Sequence, residues 1–277
     1  MDIAIIGSGM AGLASARILH DAGHNVTIFE ALAGRGMDSH SIDFDGGLID
    51  APLRVMNPKL WKNTLSLASY LGIETFPVRT FMACSWLFED KTDTWLTTSR
   101  SRIGNFPIIN NRKGIQQYGW RLVKGMLQLK TAVHQFFKSD NQDITLAEFM
   151  NQYHIEEVFW HGTVMPVLYT ICTCHPKTIG EWPAKPLLEF IRQLTEGEAL
   201  LRMKGGTPAL VNRLIDGIAI HSGSPVEKVE EQGDKILVEN GQGASQLFDR
   251  VVIATPTPAI ENFLKQPQFA DDIALLK

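Results

Sequence analysis

Residues 1–31 read MDIAIIGSGMAGLASARILHDAGHNVTIFEA, and the reading of this stretch decides the fold. Residues 3–6 are a short, almost wholly apolar run, as a central parallel strand buried on both faces requires. Gly7, Gly9 and Gly12 follow in the order G-x-G-x-x-G, with Ser8, Met10 and Ala11 between them. In such a turn the first glycine permits the tight bend and the second lets backbone approach a pyrophosphate. The third lets the new helix pack closely on the sheet. Leu13, Ala14, Ala16, Ile18 and Leu19 predict a helix over residues 11–22, ended by Gly23. A second strand over residues 26–29 delivers Glu30 at its carboxyl end, 21 residues beyond Gly9. At that offset a carboxylate meets the ribose hydroxyls of an adenosine. A glycine triplet alone can turn any loop, but strand, turn, helix, strand and acid in this order specify a dinucleotide site. The charge of Glu30 opposes a 2′-phosphate and so disfavours NADP, leaving FAD and NAD open.

Outside this motif the composition is that of an ordinary globular protein, 44% hydrophobic and 20% charged. The 277 residues suffice for one large or two medium domains. Twenty-six basic residues stand against 30 acidic ones, and with no extended basic tract nucleic acid is excluded as a main partner. Three cysteines, Cys84, Cys172 and Cys174, do not make a disulfide scaffold and suit a reducing, cytoplasmic setting. The first apolar run flows straight into the glycine turn, so it does not read as a signal peptide. No uncharged apolar stretch reaches the roughly 18 residues of a transmembrane helix.

Along the chain, residues 41–49 (SIDFDGGLI) predict two extended pieces around Asp45-Gly46-Gly47. Residues 58–71 predict a helix with Gly72 as its C′ cap. Residues 76–98, with Phe81, Trp86, Phe88 and Trp95, predict strands. Helices are expected over 119–137, from Thr145 through 153, over 156–169 with a bend near Pro166, and over 186–196. Thr145 and Glu148 have capping-box spacing. After Gly205-Gly206 the pattern reverts to α/β. A helix is expected over 208–214, strands over 218–221 and 226–229, and a small antiparallel sheet turning at Asn240-Gly241. A buried strand over 251–254 then precedes a helix over 258–264. The expected architecture is α/β: a Rossmann-like, three-layer nucleotide domain from residues 1–75 and 200–277, interrupted by a mainly helical substrate domain over 76–199.

The GSGMAG turn with Glu30, the segment LIDAP (48–52), MKGGTPALVNRL (203–214), SPVEKVE (224–230) and RVVIATPTPAI (250–260) come in an order that resembles the flavin-containing amine oxidase superfamily, which includes protoporphyrinogen oxidases and carotenoid desaturases. Its nearest likeness is to a bacterial branch of FAD-dependent oxidoreductases. The resemblance covers the whole chain, closely at both ends and loosely over residues 76–200. It implies FAD, with the pyrophosphate at Gly7, Ser8, Gly9, Met10, Ala11 and Gly12 and the adenosine ribose at Glu30 and Ala31. It further implies backbone contact to adenine at Val226 and a cofactor-lining turn at Ala254 and Thr255. By the same resemblance the activity is hydride transfer from an amine or an apolar unsaturated small molecule to flavin. A non-catalytic dinucleotide-binding module and an NAD-dependent dehydrogenase are the alternatives.

The sequence departs from that family in three places. Where relatives carry G-G-R or G-G-H near the phosphates, it has Gly36, Met37, Asp38 and Ser39, with Arg35 just before as a substitute cation. Where relatives have D-x-G beside the flavin, it has Asp50, Ala51 and Pro52, and proline neither donates a backbone hydrogen bond nor adopts positive φ. Relatives also continue into a second Gly-rich strand–helix junction, whereas this sequence ends at DDIALLK and reads as C-terminally shortened.

Other residues invite weaker readings. Cys172-Thr173-Cys174-His175 offers three metal ligands without a fourth, so no metal is expected, and His175-Pro176 reads as a helix-ending turn. Trp160, Tyr169, Trp182 and Phe190 are candidates for an apolar substrate cavity, with ordinary core packing as the alternative. Residues 118–126 are amphipathic, with Arg121 and Lys124 beside Leu122, Val123 and Met126, but short and weakly basic for a membrane anchor.

Overall fold

A computed structural model describes residues 1–35, 37, 41–50, 55–79, 83–87, 92–103, 106–109, 112–195 and 200–276. It divides the chain into two compact units, Met1–Val78 with Leu201–Lys277, and Arg79–Leu200. Gly36, Asp38, Ser39, Ala51, Pro52, Phe81 and Phe88, all named above, lie outside the described residues.

In the first unit, β1 (Asp2–Ile6) is buried from Ile3 onward. It leads into α1 (Met10–Asp21), and Gly23 at φ +85° turns the chain back into β2 (Asn25–Phe29). The two strands run parallel, with Ile3 opposite Val26 and Ile6 opposite Phe29. β3 (Ser41–Phe44) and β4 (Gly47–Asp50) form the expected hairpin. Its turn residues Asp45 and Gly46 have φ of +51° and +70°, the consecutive left-handed pair of a type I′ turn.

α2 (Lys62–Tyr70) starts four residues later than the apolar pattern suggests. Asn57 explains this, because its side chain accepts from the Lys59 amide at 2.9 Å and holds the preceding residues in a turn. At the other end Gly72 donates to Ser69 and Ile73 donates to Ala68, which is a Schellman closure. β5 (Thr75–Val78) completes this part of the unit.

The second unit opens with an antiparallel sheet of β6 (Ala83–Leu87), β7 (Thr92–Ile103) and β8 (Phe106–Ile109). α3 (Arg112–Lys138) follows and begins seven residues before its expected start. Gly125 within it is a packing site rather than a break: a Cβ there would lie 2.3 Å from the Phe159 side chain. α4 (Leu146–Gln152) carries the expected capping box, with Glu148 N donating to Thr145 Oγ1 and Thr145 N to Glu148 Oε2. α5 (Glu157–Phe159), a π-helical turn (Trp160–Val164) and α6 (Met165–Cys172) replace the single bent helix of the sequence reading. Pro166 offers no amide to the Gly162 carbonyl and crowds it, so the irregular turn falls on the N-terminal side of the proline.

α6 ends at Thr173, which has φ +48°. His175 does not end a helix. It caps the start of α7 (Pro176–Gly180), its Nδ1 accepting from the Lys177 amide. α8 (Ala184–Thr195) closes the unit. Phe136, Phe149, Trp160, Leu168 and Leu188 form its core, with Tyr169 and Phe190 packed against them, so three of the four cavity candidates are core residues and only Trp182 is exposed.

The chain returns to the first unit through β9 (Leu200–Met203) and α9 (Gly206–Leu214). β10 (Ala219–His221), β11 (Val226–Gln232), β12 (Lys235–Asn240), β13 (Ser245–Phe248) and β14 (Arg250–Ile253) follow. β10 and β14 join the first strands in one parallel sheet of order β10-β2-β1-β14. Ile3 and Ile5 pack with Leu13, Ala16, Leu210 and Leu214 of α1 and α9. Ala4 packs with Val238 and Phe248 of the antiparallel sheet β11-β12-β13. Three layers result, and the unbroken apolar run of β1 is explained by the cover on both its faces. After β14 the expected helix is instead a 3-10 segment (Thr257–Asn262), where Pro256 and Pro258 deny the first turn its amides.

Candidate dinucleotide site

β1 ends at a turn built on close backbone approach. Gly7 has φ +100°, and a Cβ there would sit 2.8 Å from the Ala254 carbonyl oxygen. Its amide donates to Phe29 O at 2.8 Å, tying the turn to the end of β2. Gly12 is constrained still more tightly, since a Cβ would lie 2.0 Å from Gly7 O. Gly9 differs from both: nothing lies within 4 Å of its Cβ position. Gly9 is also the N-cap of α1, where no side chain caps the helix and the first turn, beginning Met10-Ala11-Gly12, holds no acid. Helix N-terminal amides without a cap present donors and a favourable field to an anion.

Glu30 is buried at the end of β2, and its carboxylate organises the turn. Oε2 accepts from Ser8 N at 2.8 Å and Ser8 Oγ at 2.5 Å, while Oε1 accepts from Leu32 N at 2.8 Å. The backbone around it is stitched to the segment before β11: Glu30 N donates to His221 O, Ser224 N to Glu30 O, and Gly223 N to Leu32 O. Asn240 fixes that segment from the far side by donating to Ser224 Oγ at 2.8 Å. Glu30, Ala31 and the approach to Val226 are thereby held together, with Ala31 exposed and Val226 half-buried.

Ala254 continues the β1–β14 ladder, its amide donating to Ile6 O at 2.8 Å. Thr255 Oγ1, beside it, is buried and meets no hydrogen-bond partner among the described residues, as is also true of Thr207 Oγ1. Arg35 donates to Asn212 Oδ1 on α9 at 2.6 Å. Met37 is buried among the residues packed on α9, which gives this departure from the family pattern a packing role.

The sequence reading gave Asp50 no structural role. It is buried, and its Oδ2 accepts from Thr207 N at 3.0 Å, capping the start of α9, while Oδ1 accepts from Ser41 Oγ at 2.7 Å. Gly206, at φ +65°, leaves room for that carboxylate, because a Cβ would lie 2.2 Å from Asp50 Oδ2. An Asp on one strand end and a glycine pair before a distant helix were the only signals of it. The cysteines do not converge: Cys84 packs with Trp95 and Leu122, whereas Cys172 and Cys174 border the helical core. Burial raises the thiol pKa of Cys84, and burial together with Cys174 raises that of Cys172, so both favour the unreactive thiol.

A family model for flavin containing amine oxidoreductases matches residues 10–276. The chain belongs to that family. Among curated relatives, human lysine-specific histone demethylase 2 is 24% identical over 278 aligned residues, which cover 94% of the chain and 30% of the relative. The 4,4′-diapophytoene desaturase of Staphylococcus aureus is 38% identical over 68 residues, 24% of the chain and 14% of the relative. Among solved structures, putrescine oxidase bound to putrescine superposes with a TM-score of 0.65 at 17% identity, covering 95% of the chain and 59% of that structure. The chain thus spans about a third of the demethylase and about three-fifths of the oxidase.

FAD is the cofactor of the amine oxidoreductase family. The first unit suits its adenosine diphosphate end. The start of α1 has no side-chain cap, the Cβ position of its N-cap Gly9 is open, the Thr255 hydroxyl meets no partner among the described residues, and a buried carboxylate closes β2. These are donors for a diphosphate and an acceptor for sugar hydroxyls.

Proposed function

We propose that this chain acts as an FAD-dependent oxidoreductase that takes a hydride from a small amine or an apolar unsaturated compound. The observation that carries this reading is the family match across residues 10–276, which begins at the start of α1, within the glycine turn, and runs through the returning strand. The pyrophosphate sits at Gly7, Ser8, Gly9, Met10, Ala11 and Gly12, with Thr255 completing its donors beside Ala254. Glu30 and Ala31 receive the ribose, the Val226 backbone receives the adenine, and Arg35 supplies a cation near the diphosphate. Bound FAD supplies the electron acceptor through its isoalloxazine ring. The chain's own residues bind and orient the cofactor. An amine substrate is favoured by the family itself and by the likeness to putrescine oxidase; the aligned segment of the desaturase supports the apolar alternative.

The test is cofactor analysis of the purified protein, followed by anaerobic reduction with amines and with apolar alkenes. Flavin bands at a stoichiometry near one, bleached by one of these classes, support the reading. Flavin that no reductant class bleaches faster than buffer reduces the protein to a binding module, and exclusive NAD binding overturns the cofactor assignment. Thr255→Val sharpens the test. It removes a hydroxyl that has no partner among the described residues, so the cofactor-free protein should melt at an unchanged temperature while FAD binds less tightly.

A further inference from the structure

α3 is apolar on two opposite sides. Leu129, Val133 and Phe136 are buried in the helical core, and Leu122 is buried against Cys84, Trp95 and Leu96 of the sheet. Across the helix Trp120 is 75% exposed, Val123 45% and Leu127 55%, and their i, i+3, i+7 spacing sets them in one line. Met126, 49% exposed, adjoins Val123 one turn further on. The charge on the helix is equally one-sided. Its 27 residues include Arg112, Lys113, Arg121, Lys124, Lys130 and Lys138 and not one Asp or Glu, in a chain whose acids outnumber its bases. Lys124 and Lys130 are exposed within a turn of the apolar line, whereas Arg121 is paired with Glu156. A groove of about 460 Å³ runs beside Leu127 and is lined by Gln135, Tyr153 and His154 among others, with no carboxylate in its walls.

We infer that this face of α3 adsorbs to an anionic phospholipid surface, with the helix lying in the interface plane. Trp120, Val123 and Leu127 enter the headgroup boundary, and the lysines meet the lipid phosphates. An indole is at home at such a boundary, where one edge is wet and the other apolar. The helix rests on the membrane rather than spans it, since no described helix is long and apolar enough to cross one. A second copy is the poorer occupant, because it would bring two acid-free helices face to face. The inference is independent of the redox reading.

The test is flotation of the 277-residue protein with vesicles of phosphatidylcholine alone and of phosphatidylcholine mixed with phosphatidylserine, at low and high salt. Binding to the anionic vesicles only, weakened by salt, is expected. Trp120→Ser with Leu127→Ser should weaken it about tenfold or more through lost apolar burial. Lys124→Gln with Lys130→Gln should weaken it about thirtyfold. The lysine pair is exposed, so this second variant tests the inference even if the first is poorly folded by circular dichroism. Equal binding to both vesicle types overturns the inference, as does no binding to either. A concentration-dependent dimer that Trp120→Ser abolishes, without vesicle binding, overturns it in favour of a second copy.

Discussion

The Glu30 carboxylate takes two hydrogen bonds from one residue, Ser8, whose amide and hydroxyl both donate to Oε2. With Leu32 N on Oε1, this acid holds its own turn together, besides the ribose contact proposed for it. Glu30→Ala should therefore act twice. It strips acceptors from two backbone amides, each worth about 1–3 kcal/mol when left buried and unpaired, and it weakens FAD binding. Thermal unfolding of cofactor-free protein separates the effects. Glu30→Gln, which keeps a carbonyl acceptor, should recover much of the stability and little of the affinity. An alanine variant that melts like the parent without cofactor would refute the structural half.

Two glycines three residues apart should fail differently. Gly12→Ala forces a methyl to 2.0 Å from Gly7 O, and unit folding should be lost or cut by several kcal/mol. Gly9→Ala meets nothing within 4 Å, so the fold should change by less than about 1 kcal/mol. Its methyl would instead occupy the space proposed for the diphosphate and abolish FAD binding. Urea unfolding and flavin titration on both variants check the contrast.

Asp50 joins a strand end to a helix start. Asp50→Ala leaves Thr207 N without its acceptor and Ser41 Oγ without its partner, at a cost of about 1.5–3 kcal/mol. Asp50→Asn should be milder, since an amide oxygen still accepts from Thr207 N and the Ser41 hydroxyl can turn to accept. Equal midpoints for the two variants in urea would contradict this account.

The capping box predicts a pH dependence. Glu148 is held below the ordinary glutamate value of 4.5 by the Thr145 amide first and the Thr145 hydroxyl second. Its contribution is therefore complete above pH 4.5 and is lost as the pH falls through the lowered folded value. Glu148→Gln should flatten this acid limb in a urea-midpoint profile. Thr145→Ala should cost about 1 kcal/mol at neutral pH.

What the sequence made legible was local or strongly patterned. The glycine turn, β2 and Glu30 lie within one short stretch whose spacing states its geometry, and the apolar run of β14 announces another buried strand. The Asp45-Gly46 turn and the Thr145–Glu148 box are likewise complete in four residues. The Asp50–Thr207 contact was not legible, because its partners are 157 residues apart and neither carries a mark of the other. Nor was the clasp of Glu30, Ser224 and Asn240, which depends on where the ends of β2 and β12 meet the loop before β11. The packing role of a glycine inside α3 was not legible either. At Gly125 the reason is Phe159 pressing in from another element.

The parallel pairing of β1 with β14 sets a schedule for biosynthesis. Asp2 and Asp249, bonded at the start of this ladder, are 247 positions apart. On a ribosome adding about 5–20 residues per second, the edge of β1 waits roughly 10–50 s for its neighbour. The intervening chain meanwhile completes a core of its own around Phe136, Phe149 and Trp160. A nascent chain thus carries an apolar, unpaired strand edge through most of its translation, the condition under which strands recruit wrong partners. Slowed growth or a holding chaperone during expression should raise soluble yield by protecting residues 3–6, with no change in the finished molecule.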